Sequence, residues 1–285
     1  MLLQDFLPSP AVRELVRYYR IVHFEFDRST PIPFKAYPPK PEQCLHFFLR
    51  EPFAIETAGN SKSSQPSIVF SGQRTSLVKQ YNGPSFLDVQ VVFQPTAFFR
   101  LTGIPADELT DQHIDATVVF PKTIHSAFEQ LQLSKSYAGM LAIVEAFSQD
   151  LVSHLPEELV PMDAVSRQMV LYGQNTSINR LAQESCLCTK QFERKFKQRT
   201  GVNPKTYSKI IRFNRAYNLR NQSPEKDWLG IAIESGYFDY QHLTKDYKYL
   251  TGLTPPDLHS LESNSPENVL GLTKSLYLFR MKETL

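Results

Sequence analysis

Leu181-Ala182-x-Glu184-Ser185-Cys186, then Phe192-x-Arg194-x-Phe196-Lys197, then Gly201-x-Asn203-Pro204 is a stretch that the chain repeats. The second copy reads Ile231-Ala232-x-Glu234-Ser235-Gly236, Leu243-x-Lys245-x-Tyr247-Lys248 and Gly252-x-Thr254-Pro255. The offset is 50 residues before the central turn and 51 after it, so one residue has been inserted there. A period of this size means two copies of one supersecondary unit. Each copy predicts a short helix, a Ser- or Gly-marked turn and a longer helix that turns basic on one side. That is the sequence form of a helix-turn-helix. Two such units in tandem predict a reader of double-stranded DNA.

On a helical wheel of about 100° per residue, Phe192, Phe196 and Arg199 start an inward face for the first long helix. Lys190, Glu193, Arg194 and Lys197 fall on the opposite face. In the second copy Leu243, Tyr247 and Leu250 point inward, while Gln241, Thr244, Lys245 and Lys248 point outward at the same angles. Arg can pair bidentately with guanine, Gln with adenine, and Glu can accept from cytosine. A solvated charged face explains any one of these residues equally well, but recurrence at the same phase in both copies weakens that explanation. Lys197 and Lys248, lower on the helices, fit phosphate contacts that set register, and Gln191 and Thr244 are expected to join them. Between the copies Tyr207, Ile211, Ala216 and Leu219 keep a helical stripe, and Arg212, Arg215 and Arg220 add charge. A continuous helix here would hold the two readers at a fixed separation, about one turn of DNA, about 34 Å.

The charge balance supports a polyanion partner for this half alone. The chain of 285 residues has a net charge of +2, yet residues 1–162 carry 13 Lys/Arg against 17 Asp/Glu. Residues 163–261 carry 15 against 9, and within 176–221 the numbers are 11 and 2. Such asymmetry marks one half as the nucleic-acid partner. Three cysteines form no disulfide framework and suit a reducing cytoplasm. No apolar run approaches the length of a membrane span, and the N-terminus lacks the pattern of a signal peptide, so no membrane role is expected.

The first 125 or so residues are proline-rich with short β-prone runs, at Ile21–Phe26, Cys44–Leu49, Ser67–Phe70 and Leu87–Phe93, separated by turn signals. They predict a small, mainly antiparallel β domain with a helix near Ala11–Tyr19 and another at Pro95–Leu101. Helical spacing follows at Ile124, Phe128 and Leu131, and again at Met140, Ile143, Val144, Phe147 and Leu151. His154–Asp163, with Pro156 and Pro161, reads as a linker. The expected organisation is therefore an α+β N-terminal domain over 1–155, sensor-like and ending in helices. An all-α tandem module over 163–261 follows, its two helix-turn-helix units joined by a linker helix, and then a tail over 262–285. Whether Leu276-Tyr277-Leu278-Phe279 packs back on the body is left open.

Over residues 163–261 the chain resembles the AraC/XylS family of bacterial transcription regulators. The residues that carry the likeness are Leu181-Ala182, the turn, Phe192-x-Arg194-x-Phe196-Lys197, Gly201-x-x-Pro204, Arg212 with Ala216, Ile231-Ala232, Gly236-Tyr237 and Gly252-x-Thr254-Pro255. The resemblance implies sequence-specific promoter binding, and activation of transcription through contact with RNA polymerase. Carried over position by position, it places base readers at Lys190, Glu193 and Arg194, then at Gln241, His242 and Lys245. The wheel reaches all of these but His242. Cys186 stands where the family has a small or glycine turn residue, Cys188 where it has a Ser cap, and Leu258-His259 where it has Tyr-Arg. Lys245 replaces an Arg and cannot make a bidentate fork, which puts the second reader's specificity in question. Residues 1–155 more faintly resemble a β-rich domain of unassigned function that precedes this module in many regulators, through Val12-x-x-Leu15-Val16-x-Tyr18-Tyr19, Pro41-Glu42-x-Cys44, Gly72-Gln73 and Val92-Phe93-x-Pro95. That likeness implies a small-molecule effector, a homodimer, or both.

Other chemistry finds little footing. Cys186 and Cys188 have no further ligands at zinc spacing and are expected to pack as small hydrophobes. The seven histidines show no ligand spacing, and no phosphate loop, nucleophile elbow or paired-carboxylate motif is present, so neither cofactor, metal nor enzymatic activity is expected. Glu42, His46 and Arg50 could line a pocket, but alternation in a strand explains them equally well. Two alternatives stay open. An architectural DNA binder would show little sequence preference. A DNA-repair protein that accepts alkyl groups would need Cys44 as an unusually reactive thiol.

Overall fold

Two long strands organise the N-terminal half, because Val, Ile, Phe and Tyr dominate both and each finds a partner over most of its length. They are β2 (Val16–Glu25) and β9 (Ser85–Phe93), paired antiparallel from Val16↔Phe93 to Glu25↔Ser85. The computed structural model describes residues 1–51, 53–57, 61–155, 160–172 and 177–272. Around the central pair stand β1 (Leu2–Phe6), β4 (Cys44–Phe48), β7 (Ile68–Ser71) and β10 (His113–Asp115), giving a six-stranded antiparallel sheet in the order β1-β2-β9-β4-β7-β10. A second sheet, in the order β3-β8-β5-β6, is built from β3 (Lys35–Tyr37), β5 (Ala54–Thr57), β6 (Ser63–Ser64) and β8 (Val78–Tyr81).

The six-stranded sheet is covered on both faces, which is why β9 reads as an almost unbroken apolar run. One face, with Tyr19, Ile21, Leu45, Phe47, Phe70, Val89 and Val91, packs on α1 (Ala97–Thr102), α2 (Thr123–Leu133) and α3 (Tyr137–Ser153) in the largest apolar cluster. The other face meets the second sheet through Val22, Phe24, Phe48, Val69 and Phe86, against Ile55 and Val78. The helix expected near Ala11–Tyr19 is not formed. A single 3-10 turn at Pro10–Val12 leads into β2, and Val12, Leu15, Val16 and Tyr19 are all buried from this turn-plus-strand path.

The C-terminal half is helical throughout its described residues: α4 (Pro161–Tyr172), α5 (Ile178–Glu184), α6 (Thr189–Thr200), α7 (Pro204–Gln222), α8 (Trp228–Glu234), α9 (Tyr240–Thr251), α10 (Pro255–Ser263) and α11 (Pro266–Val269). The two copies of the repeat become α5–α6 and α8–α9, each with its own core. Leu181, Ala182, Phe192 and Phe196 close on Met162, Val165 and Met169 of α4; Ile231, Ala232, Leu243 and Tyr247 close on Leu250 and Leu258. Helix α7 is the continuous linker helix expected, capped by Asn203 and started by Pro204. It gives Tyr207 and Ile211 to the first core and Ile210, Phe213, Ala216 and Tyr217 to the second. Beyond α10, Leu270 and Leu272 pack on the apolar cluster between the two sheets, so residues 262–272 lie back on the body. Leu276–Phe279 lies outside the described residues.

The central turns differ in strain. Gly236 takes φ 88°, and Cys186 at the matching place is forced to φ 55°, in the left-handed region. Position 239, at the N-cap of α9, is an Asp that accepts from the His242 amide, while Cys188 at the N-cap of α6 makes no side-chain cap. Cys186→Gly is therefore expected to stabilise the fold by about 0.5–1 kcal/mol, strain relief outweighing the lost chain stiffness. Cys188→Ser should add about 1 kcal/mol. Urea unfolding of each variant against the parent checks both, and a destabilised Cys186→Gly would show that the turn carries no strain. Both cysteines are exposed, contrary to the expectation that they pack as small hydrophobes. Leu187, between them, packs against the first core in their place.

Candidate nucleic-acid interface

Helix α6 is held by Phe192 and Phe196, both fully buried and in tilted ring contact, with Phe196 edge-on to Tyr207 of α7. That fixes its rotation, and Lys190, Gln191, Glu193, Arg194 and Lys197 are all exposed in consequence. Helix α9 is held by Leu243, Tyr247 and Leu250, and Gln241, Lys245 and Lys248 are exposed. His242 and Thr244 are half-buried: the His242 ring stands edge-on to Tyr237, and the Thr244 hydroxyl donates to the Tyr240 carbonyl of its own helix at 2.9 Å. The inward and outward faces of both helices thus fall where the repeat places them, except that Thr244, expected to point outward, is half-buried.

Three of the basic residues between the copies have other duties. Arg212 donates to the buried Asp246 carboxylate at 2.9 Å and lies over the Tyr237 ring, and Lys209 stands 3.7 Å from the same carboxylate. Arg220 donates to the Lys226 carbonyl at 2.6 Å and lies over Trp228. Arg215 remains exposed. Asp246 is an acid on the margin of a buried stripe, and that position was the signal available for the Arg212 pairing. Phe238, 86% exposed in the turn just before α9, has no counterpart in the repeat and is the largest apolar side chain on this rim.

The lower end of α6 does not face solvent alone. Lys197 lies 3.4 Å from Asp107, in the 3-10 turn Ala106–Leu109, and the Gly201 carbonyl accepts from the Thr110 hydroxyl at 2.6 Å. Gly201 takes φ 95°, and a Cβ there would sit 2.9 Å from Gln73 Cβ, so only glycine serves both the helix end and this approach. Arg199 lies over the Phe99 ring and reaches the buried Asp163, which also accepts from the Thr96 hydroxyl. On the far side Lys35 of β3 meets Glu262 at 2.5 Å and Glu267 at 3.8 Å. Nothing in the repeat announces these contacts, since each pairs residues far apart in the chain.

Elsewhere the chemistry is quiet. Cys44 is buried and burial holds its thiol protonated, the opposite of what an alkyl acceptor requires. Among the described residues no group of His, Cys, Asp and Glu is placed to hold a metal ion, and no helix is long and apolar enough to cross a membrane.

Comparison with known proteins agrees with this geometry. A family described as a helix-turn-helix domain matches residues 181–259, and its type is that of AraC regulators. The C-terminal part is a helix-turn-helix domain of the AraC type. Its N-terminal part, residues 4–115, matches a domain of unknown function, DUF6597. Solved structures similar to this chain include ToxT from Vibrio cholerae, at 12% identity and a TM-score of 0.47, over 85% of this chain and 98% of that one. CdpR from Pseudomonas aeruginosa is similar at 16% identity and a TM-score of 0.31, over 63% and 47% of the two chains. The AraC-like activator CuxR follows at 10% identity and 0.28, over 70% and 73%. No curated protein matches the chain in sequence.

Proposed function

We propose that this protein regulates transcription in the bacterial cytoplasm by sequence-specific binding to promoter DNA, α6 and α9 reading two successive major-groove segments. The observation that carries this reading is the shared phase of the exposed residues Lys190, Arg194 and Lys197 on α6 with Gln241, Lys245 and Lys248 on α9, each helix locked by a buried aromatic or aliphatic stripe; Glu193 and the half-buried His242 complete the proposed base readers. Gln191, Lys197, Thr244 and Lys248 then meet phosphates. The Thr244 hydroxyl, which donates to the Tyr240 carbonyl of its own helix, would turn to donate to a phosphate in that complex. In keeping with the family resemblance, the protein activates transcription through RNA polymerase. Its N-terminal domain, over 1–155, takes a small-molecule effector and forms a homodimer, and the DNA-binding domain spans 163–261.

Selection of DNA from a random pool by the full chain, at physiological salt, tests the reading. Two enriched half-motifs about 10 base pairs apart are expected. Enrichment of one motif would reduce α9 to a grip on the backbone, and no enrichment would favour an architectural binder. Within the selected site, Arg194→Ala should cost about 1–3 kcal/mol at one base position and relax selection there. Lys197→Ala should weaken all DNA alike and lower the salt slope by about 1. A uniform loss from Arg194→Ala would make it a phosphate contact.

A further inference from the structure

The two central turns match bond for bond, and the match locates the inserted residue. The Leu187 amide donates to the Ala182 carbonyl and the Tyr237 amide to the Ala232 carbonyl, both at 2.9 Å. On the far side of each turn the Phe192 amide donates to the Cys188 carbonyl at 2.9 Å, and the Leu243 amide to the Asp239 carbonyl at 3.2 Å. Leu187 therefore corresponds to Tyr237 and Cys188 to Asp239. The residue with no counterpart is Phe238.

In the first unit Leu187 stands just before the N-cap of α6 and packs on the core that holds Phe192, in the manner of a hydrophobic staple that fixes how the chain enters the helix. In the second unit the insertion moves this duty one residue back. Tyr237 is 3% exposed, shares the second core with Leu243, and carries Arg212 over its ring and His242 against its edge. Phe238 is thereby released: it stands between Tyr237 and the N-cap Asp239 with 86% of its surface in water. Such a ring contributes almost nothing to the fold. It lies three residues before the exposed Gln241, at most about 11 Å along the chain.

We propose that Phe238 reads thymine, its ring resting on the C5-methyl group of a base at the edge of the α9 half-site. This rests on the reading above, in which α9 enters the major groove with its N-terminal end towards the bases. A phenyl ring has nothing to offer a phosphate. Among the groups that base edges present in the major groove, the thymine methyl is the apolar one, and the rest are donors and acceptors. Insertion of a ring between base steps is a minor-groove device and does not fit this placement. Because α6 has no equivalent residue, the preference belongs to one half-site alone. It gives α9 a base contact in the unit where Lys245 cannot make a bidentate fork on guanine.

The experiment measures binding of the full chain, at physiological salt, to the DNA selected from the random pool. Each thymine of both half-motifs is replaced in turn by deoxyuridine, which removes the methyl group and leaves base pairing unchanged. One replacement, in one half-motif, should weaken binding about fourfold, the worth of one buried methyl-sized group. Phe238→Ala should weaken binding to the unmodified site by at least that factor and should bind thymine and deoxyuridine equally at that position. Phe238→Leu should keep part of the discrimination. Since the side chain is 86% exposed, the urea midpoint of either variant should match the parent's, which separates lost contact from lost folding. A pool that yields no motif would sink promoter reading and this inference with it. A motif in which no thymine methyl matters, or a discrimination that survives Phe238→Ala, would overturn this inference alone and leave promoter reading standing.

Discussion

Asp163→Ala should lower the stability of the full chain by about 3–5 kcal/mol, read from urea unfolding. The Asp163 carboxylate is 1% exposed and accepts from the Thr96 hydroxyl at 2.6 Å, the Val160 amide at 3.1 Å and Arg199 at 3.2 Å, with Arg100 at 3.9 Å. Removing it leaves Arg199, over the Phe99 ring, without its acid and Arg100 with Glu14 alone, and the cost of stranding a buried charge exceeds the worth of the pair itself. Asp163→Asn keeps an acceptor without the charge and should cost less. Thr96 and Arg100 come from the α1 region and Arg199 from α6, so the loss falls on the seam between the halves. A cost below about 1 kcal/mol for the alanine variant would mean that the seam is already open in solution.

Acidification is the second large effect. Burial holds His113 down to about 3, helped by Arg74 and His46, and holds His259 down to about 4, helped by Arg220. Both stay neutral in the folded chain while the unfolded chain takes up a proton below about pH 6.5. The unfolded state then binds more protons, so stability falls as pH drops from 6.5 towards 4, by about 1.4 kcal/mol per unit for each histidine. His46 works against them: despite its burial, the Asp88 carboxylate at 3.0 Å favours its protonated form and raises it, so its contribution is complete below pH 6.5 and is lost as pH rises above that. The net expectation is a loss of about 3 kcal/mol between pH 7 and pH 5. The double variant His113→Gln with His259→Gln should flatten the urea midpoint over that range. An unchanged slope would place the acid sensitivity elsewhere.

The helical half was legible because its signal is local and stated twice. Phe192 and Phe196 against Leu243 and Tyr247 define the inward faces from spacing alone, and the exposed faces follow. Strands β4, β7 and β9 were legible as β-prone runs between turns. Strands β1, β3, β5, β6 and β8 were not, since they are short and partly polar and owe their existence to neighbours distant in the chain. Val12, Leu15, Val16 and Tyr19 misled for a specific reason: a tight turn running into a strand buries residues at the spacing of a helix. Asp163 read as linker, although α4 starts at Pro161 and the acid belongs to the helix. Buried polar partners such as Asp163 with Arg199, or Lys35 with Glu262, leave no periodic trace, because an ion pair constrains two positions and no pattern between them.

Helix α7 lends its side chains to both cores at once, and this turns the distance between the readers into a property of the fold. Neither unit can slide or pivot without pulling Tyr207 or Phe213 out of a packed interior. On DNA, one added base pair between half-sites would turn the second by about 35° and move it about 3.4 Å along the axis. A hinged protein would absorb that step, whereas this one, reading two segments as proposed, would pass the misfit to the duplex as twist or bend. The length of the gap in a promoter would then be read as strictly as the letters on either side of it.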